Sequence, residues 1–125
     1  GVAAGLPDDI MPVVNITKGY PANYNDPELT KQIMQVFEKA IGKNNVVVTQ
    51  PSFIGEDFSY YSLNKKIPSL FFYIGSTDAS KYNESIQSGI ALPNLHSPFL
   101  APSPDITIKT GIKSMTSAVL VLLKK

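Results

Sequence analysis

The sequence contains no cysteine and no tryptophan, and His96 is the only histidine among its 125 residues. Without cysteine the chain can form no disulfide bond and can offer no thiolate to a metal ion. Its 11 basic and 10 acidic residues leave a net charge of +1, which argues against a nucleic-acid partner. No apolar run approaches the ~20 residues that span a bilayer, and no apolar leader opens the chain, so we expect a cytoplasmic chain without a membrane partner.

The composition is that of a globular domain, with 43% apolar and 17% charged residues. The chain begins with Gly1 instead of methionine, and residues 1–5 (GVAAG) resemble the end of a helix, since glycine commonly terminates helices. Two interpretations of this start stay open. The chain is a piece of a longer protein, or its terminus has been trimmed or carries a tag remnant.

Three runs rich in β-branched or aromatic residues predict strands, at residues 9–17, 46–50 and 69–75. The second and third runs do not alternate between apolar and polar residues, which is typical of strands buried on both faces. Residues 21–25 (PANYN) lack apolar periodicity and indicate a crossing between structural units, so we place a domain boundary near residue 22.

A helix is predicted to begin at residues 26–28 (DPE), because the Asp26 carboxylate can cap it and Pro27 suits the first helical position. Apolar residues three and four apart extend this amphipathic helix to Gly42. Gly55 is followed by two acids and predicts a turn into a short helix.

Residues 76–103 are predicted to form a long irregular connection, of a length that is usually functional or disordered. A terminal helix is predicted from residues 103–105 (SPD) onward. Its predicted buried stripe consists of Ile108, Ile112, Met115, Val119 and Leu122. The order helix, strand, short helix, strand, helix predicts an α/β fold with helices on both faces of a sheet.

His96 lies in residues 92–99 (LPNLHSPF), where Pro93 and Pro98 disfavour a helix and stiffen the loop. No Gly-x-Ser-x-Gly pattern accompanies it, which argues against a serine-hydrolase triad. A stiff loop would suit a metal ligand, but a zinc site needs three or four ligands. Taken alone, the residues favour a hydrogen-bonded loop histidine over a metal ligand, and both interpretations stay open.

Glu56 and Asp57 are adjacent acids at a predicted helix start. Acids in this position commonly cap the helix and interact with its dipole. They could instead orient a neighbouring histidine or face a cleft. The residues alone favour the capping role.

Three motifs follow one another along the chain: residues 55–59 (GEDFS), residues 67–75 (IPSLFFYIG) and residues 95–99 (LHSPF). In this order and spacing they resemble the C-terminal part of the metal-dependent amidohydrolases that include hippurate hydrolase, indoleacetyl-amino-acid hydrolases and N-acetyldiaminopimelate deacetylase. Residues 21–29 resemble the return of these enzymes from an inserted lid domain into the catalytic domain. The resemblance covers nearly the whole chain and favours a piece of a longer protein.

The resemblance implies the C-terminal portion of a three-layer α/β/α catalytic domain, with a remnant of an inserted α+β lid and dimerisation domain. Residues 1–22 would be the end of that lid domain, and residues 23–125 would be the C-terminal portion of the catalytic domain. The parent protein would be a homodimer that hydrolyses the amide bond of N-acyl amino acids or small peptides.

The resemblance also implies two divalent metal ions (Zn, Mn, Co or Ni) in the parent protein, with His96 as the last metal ligand. Gly55, Glu56 and Asp57 would lie near the site in a supporting or substrate-mouth role, and none of them would be the catalytic base. The other ligands and the catalytic glutamate of such enzymes lie in the N-terminal part, commonly with a cysteine, which this chain lacks.

We therefore expect this chain alone to bind no metal and to be inactive, because one ligand cannot fix two ions. Its first partner would be the missing N-terminal part of the same protein. The alternative is a free-standing, non-catalytic small α/β domain that serves in binding or interaction.

Overall fold

The computed structural model describes residues 2–124. Within this range the α-helices are α1 (Pro27–Ile41), α2 (Ala79–Ser88) and α3 (Pro104–Leu122). Shorter 3-10 helices span Val2–Ala4, Asp8–Ile10, Lys43–Asn45 and Asp57–Ser62. None of the helices in residues 2–124 combines the length and apolarity that crossing a membrane requires.

Helix α1 begins and ends where the sequence predicts. The Asp26 carboxylate accepts a hydrogen bond from the Leu29 N–H at 2.9 Å, and Pro27 occupies the first turn. Gly42 ends the helix at φ +92°, a backbone conformation that favours glycine. The apolar face predicted for α1 is confirmed, since Ile33 and Phe37 are buried.

The core lies where α1 packs against α3. Ile33, Phe37 and Ala118 are its buried apolar residues, and Ile33 is 1% exposed. The rings of Phe37 and Phe72 lie 4.8 Å apart, which brings the segment after Pro68 onto α1. Leu29, Val46 and Leu70 are half-buried against the same cluster.

The prediction for the buried face of α3 is wrong. The predicted stripe is 45% to 61% exposed, and the residues of α3 that are buried are Ser114 and Ala118. The physical reason is that the side of α3 toward the core carries small residues: Ser114 and Ala118 are buried, and a Cβ on Gly111 would lie 3.3 Å from the Ile74 Cδ1 of the segment after Pro68. The apolar residues of the predicted stripe consequently stay exposed instead of lying in the core.

The three predicted strands at residues 9–17, 46–50 and 69–75 are not formed within residues 2–124. A strand requires a neighbouring backbone at about 4.8 Å, and these segments do not pair with one another. Residues 69–75 are held instead by the residues before α1, with the Asp26 N–H donating to the Ser69 carbonyl at 2.9 Å. The α/β prediction thus holds for the helices and not for the sheet.

The prediction that residues 76–103 are irregular is wrong in part, because α2 lies inside them. The Asp78 carboxylate accepts from the Ser80 N–H at 2.8 Å, and Gly89 ends the helix at φ +71°. Helix α2 buries none of its residues, so its sequence has no periodic apolar pattern from which a helix could be predicted. Asp78 at the start and Gly89 at the end were the residues from which this helix could have been predicted.

The predicted helix end at Gly5 and the predicted helix start at Ser103 are both found, with one difference at Ser103. Gly5 has φ +65° and closes the first 3-10 turn, as a helix-terminating glycine should, whereas Gly1 lies outside the described residues. Helix α3 begins after Ser103 as predicted, but the Ser103 hydroxyl does not cap it. The Ser103 N–H donates to the Ser76 carbonyl at 2.7 Å, so Ser103 ties α3 to the segment before α2.

Replacing Ile33 with alanine should lower the free energy of unfolding by about 3 kcal/mol, because it opens a cavity between α1 and α3. The matched control is Ile112→Ala, on the exposed face of α3, which should change it by about 0.5 kcal/mol or less. Urea unfolding followed by circular dichroism measures both values. An equal loss in both variants would show that the apolar stripe of α3 is buried in solution.

Hydrogen bonds from the Ser80 hydroxyl and N–H lower the pKa of Asp78, and this carboxylate stabilises the start of α2. Because the folded pKa lies below the unfolded one, the stabilisation is complete above the unfolded value of about 3.9 and is lost as the pH falls through the folded value. Carbon chemical shifts of α2 should therefore move toward coil values below about pH 4. Asp78→Asn, which can cap but does not titrate, should abolish this pH dependence.

Candidate metal and substrate site

The loop around His96 consists of two successive turns. The Ser97 N–H donates to the Asn94 carbonyl at 3.0 Å, and the Leu100 N–H donates to the Ser97 carbonyl at 3.1 Å. The Ser97 hydroxyl accepts from the Phe99 N–H at 3.2 Å and fastens the second turn. The loop is free of helix, as its two prolines predict.

His96 has a left-handed backbone conformation, with φ +68°. A residue with a Cβ pays roughly 1 kcal/mol for this conformation, which makes it uncommon outside glycine and asparagine. The side chain is exposed, and no hydrogen bond to the imidazole forms within residues 2–124. The imidazole is therefore exposed and not held by another residue of this range, and its role as a metal ligand stays a prediction.

Glu56 caps the 3-10 helix Asp57–Ser62 that the sequence predicts after Gly55. Its carboxylate accepts from the Phe58 N–H at 3.1 Å, and its carbonyl accepts from the buried Ser59 hydroxyl at 2.9 Å. The capping interpretation is thereby confirmed for Glu56. Asp57 lies in the first turn with an exposed side chain, where a carboxylate suits the positive end of the helix.

Gly55 lies against an aromatic ring that the sequence did not single out. A Cβ on Gly55 would lie 3.2 Å from the Tyr20 Cδ2, so glycine lets the Tyr20 ring cover the turn before the acids. The same ring makes an edge contact with Tyr60, with centroids 6.1 Å apart. Tyr20 thus connects the segment near the predicted domain boundary with the motif of residues 55–59.

A second feature that sequence reasoning missed is a left-handed turn after this helix. Leu63, Asn64 and Lys65 have φ values of +46°, +57° and +67° in succession. The Lys65 ammonium lies 4.0 Å from the centre of the Tyr24 ring, a cation–π contact. Only asparagine in this run favours a left-handed backbone, so the sequence carried a weak signal.

The described residues do not make a complete metal site. Within residues 2–124, no group of three histidine, aspartate or glutamate side chains lies close enough to hold an ion. His96 offers one nitrogen, and one oxygen of Glu56 already accepts the Phe58 N–H. A zinc site needs three or four ligands, so a metal at His96 would require donors from outside this range.

Comparison with known families gives the chain its class. The model of peptidase family M20/M25/M40 matches residues 11–95, which is more than half of the chain and includes residues 55–59 and Leu95, the start of the third motif. The chain therefore belongs to peptidase family M20/M25/M40, as the ordered motifs predict. No solved structure gives a significant match.

Relatives agree with this family and are much longer than the chain. An uncharacterised hydrolase of Sinorhizobium fredii is 31% identical over 97 residues, which cover 78% of this chain and 21% of the relative. An N-acetyldiaminopimelate deacetylase of Lactococcus lactis is 34% identical over 56% of this chain and 18% of its own length. Thermostable carboxypeptidase 2 of Saccharolobus solfataricus is 31% identical over 64% of this chain and 17% of its own length. The chain spans about a fifth of the length of these relatives.

The left-handed backbone conformation of His96 can be tested separately from its proposed role as a metal ligand. His96→Gly should be more stable than His96→Ala by about 1 kcal/mol, because glycine adopts φ +68° without the steric cost of a Cβ. Phe99 is the control, since its φ is not positive and Phe99→Gly should be less stable than Phe99→Ala. Chemical denaturation of the four variants measures the differences. Equal stability of the two His96 variants would contradict the left-handed conformation.

Proposed function

We propose that this chain is the C-terminal portion of a metal-dependent amidohydrolase that cleaves the amide bond of N-acyl amino acids or small peptides. The match to peptidase family M20/M25/M40 over residues 11–95 carries the proposal. Relatives named as a deacetylase and as a carboxypeptidase support it, because both names describe hydrolysis of an amide C–N bond. In this proposal residues 1–22 end a lid and dimerisation domain, and residues 23–125 belong to a three-layer α/β/α catalytic domain.

The role of His96 in this proposal is to supply one ligand to a pair of divalent ions, which are Zn, Mn, Co or Ni. Its exposed side chain supports that role, because an ion and ligands from outside this chain can reach an imidazole at the surface of the turn. The remaining ligands and the catalytic base come from the part of the enzyme outside this chain. The parent enzyme is a homodimer.

Residues 55–57 support the site without taking part in proton transfer. Glu56 is engaged as a helix cap, which holds the turn beside the Tyr20 ring. Asp57 is exposed and free to face a substrate at the mouth of the site. Neither acid is the general base in this proposal, because the catalytic glutamate belongs to the part of the enzyme outside this chain.

The 125-residue chain alone is inactive under this proposal. Hydrolysis of an amide needs a water whose pKa is lowered by bound metal, and a single histidine does not fix an ion at useful affinity. The test uses the full-length source protein and the 125-residue chain side by side, with N-acetyl and N-benzoyl amino acids as substrates. Turnover should occur in the full-length protein, should be lost on chelation and should be absent from the chain.

Replacing His96 with alanine in the full-length protein should lower bound metal by about one ion per protomer and reduce kcat at least about 100-fold, because removal of a ligand disrupts the ion that activates water. Phe99→Ala is the matched control, an exposed ring in the same loop, and it should retain both metal and turnover. Metal content is measured by mass spectrometry of the desalted protein. Unchanged metal and turnover in His96→Ala, or turnover that survives complete metal removal, would overturn the proposed role.

A further inference from the structure

The aromatic ring of Tyr20 contacts both ends of the turn formed by residues 55–60. At one end it covers the Gly55 backbone so closely that a Cβ on Gly55 would lie 3.2 Å from the Tyr20 Cδ2 and 3.7 Å from its Cε2. At the other end it makes an edge contact with the Tyr60 ring, with centroids 6.1 Å apart. Glu56 and Asp57 lie between these two contacts in the sequence. One ring therefore bridges the turn that carries both acids.

The position of Tyr20 is restrained by the chain that follows it. Tyr20 precedes Pro21, which biases its backbone toward extended conformations. A few residues later, the Asn25 side chain donates to the Phe71 carbonyl at 2.8 Å and accepts from the Phe71 N–H at 2.7 Å. The span from Tyr20 to this pair of hydrogen bonds is short, so the ring has little freedom to leave the turn.

Other contacts hold the middle of the same turn. The Phe58 ring lies 5.5 Å from the Phe71 ring and 5.6 Å from the Tyr61 ring. Ser59 is buried, and its hydroxyl donates to the Glu56 carbonyl at 2.9 Å. The middle of the turn is thus fixed by its own packing, whereas its two exposed ends are held by the Tyr20 ring.

Asp57 is the residue of this turn whose side chain takes no part in these contacts. The side chain is exposed, and its carboxylate makes no hydrogen bond or ion pair within residues 2–124. A group that meets a ligand loses conformational freedom on binding, and this cost is smaller where the backbone that carries the group is already fixed. The contacts of Tyr20 with Gly55 and Tyr60 therefore bear on the direction of the Asp57 carboxylate.

We propose that Tyr20 is a positioning residue of the candidate site, whose ring packs on Gly55 and Tyr60 and holds the turn so that Asp57 faces the substrate. The inference rests on the proposed function in one respect, namely that Asp57 lies at the mouth of the site. The role belongs to the ring and not to the hydroxyl, since ring carbons make the contact with Gly55 and the ring makes the edge contact with Tyr60.

Two substitutions in the full-length source protein disturb the same contact from its two sides. Tyr20→Leu deletes the ring. Gly55→Ala displaces it, because the added Cβ would crowd the ring at 3.2 Å, while the φ of Gly55 is not positive and tolerates alanine. Each should raise KM for N-acetyl amino acids about 5-fold, since an aromatic contact changes an equilibrium roughly 2- to 10-fold. Each should leave kcat within about 2-fold, because the contact serves binding and not the chemical step.

Three further variants separate positioning from general loss of structure. Tyr20→Phe keeps the ring and should keep the wild-type KM. Tyr82→Leu is the matched control, since Tyr82 is 54% exposed against 59% for Tyr20 and its ring makes no aromatic contact within residues 2–124, and it should also keep the wild-type KM. The double variant of Tyr20→Leu and Gly55→Ala should raise KM no further than either single variant, because both remove one contact.

Hydrogen exchange of the Phe58 amide gives a measurement that does not depend on turnover. This N–H donates to the Glu56 carboxylate at 3.1 Å, so its exchange reports whether the turn is held. In Tyr20→Leu and in Gly55→Ala it should exchange about 5-fold faster, while amides of α1 exchange as in the wild type.

The outcomes for Tyr20 and for the proposed function can be told apart. Turnover with unchanged KM and unchanged Phe58 exchange in both single variants overturns the role of Tyr20 and leaves the proposed function intact. Effects on KM that multiply in the double variant, or a fall in kcat that matches the rise in KM, also overturn that role. Faster Phe58 exchange in the variants of a protein whose wild type shows no turnover supports the hold of Tyr20 on the turn and removes the proposed function.

Discussion

The close packing of α3 on α1 is the contact on which the rest of the structure depends. Ser114 and Ala118 are the buried residues of α3, and Ile33 and Phe37 are the buried residues of α1. Phe72 then joins the pair from the segment that follows Pro68, and Ser103 ties the start of α3 to Ser76. A core of this kind needs small residues on one helix and large ones on the other, since packing at interior density leaves no room for two large faces.

The sequence allowed good prediction wherever local chemistry decides the structure. The start of α1 depends on Asp26 and Pro27, which act within one turn, and the helix after Gly55 depends on Glu56 in the same way. Helix α2 escaped notice because its side chains stay exposed, so only its caps could reveal it. The buried face of α3 was misjudged for a different reason: the largest apolar side chains were assumed to face the core, whereas the distance between helix axes is set by the smallest.

Strands were the part that local chemistry could not decide. Residues 46–50 and 69–75 have the composition of strands, but a ladder depends on a second backbone at the correct distance, and composition does not contain that information. Some features of the candidate site could likewise be predicted from local sequence and others could not. The cap at Glu56 and the absence of helix around His96 could be predicted from neighbouring residues. The left-handed conformation of His96 and the contact of Tyr20 with Gly55 depend on turn geometry and on distant residues, which residue spacing does not predict.

The exposed stripe of α3 and the single histidine of the candidate site have one physical feature in common. Each would be stabilised by a second body that covers it: apolar side chains would leave water, and the imidazole would bind a metal together with other ligands. A left-handed non-glycine residue persists at a functional site when surrounding contacts over-determine it. If the proposed function is correct, the part of the enzyme outside this chain would cover α3 and would also supply the other metal ligands, so burial of α3 and completion of the site at His96 would depend on the same contact.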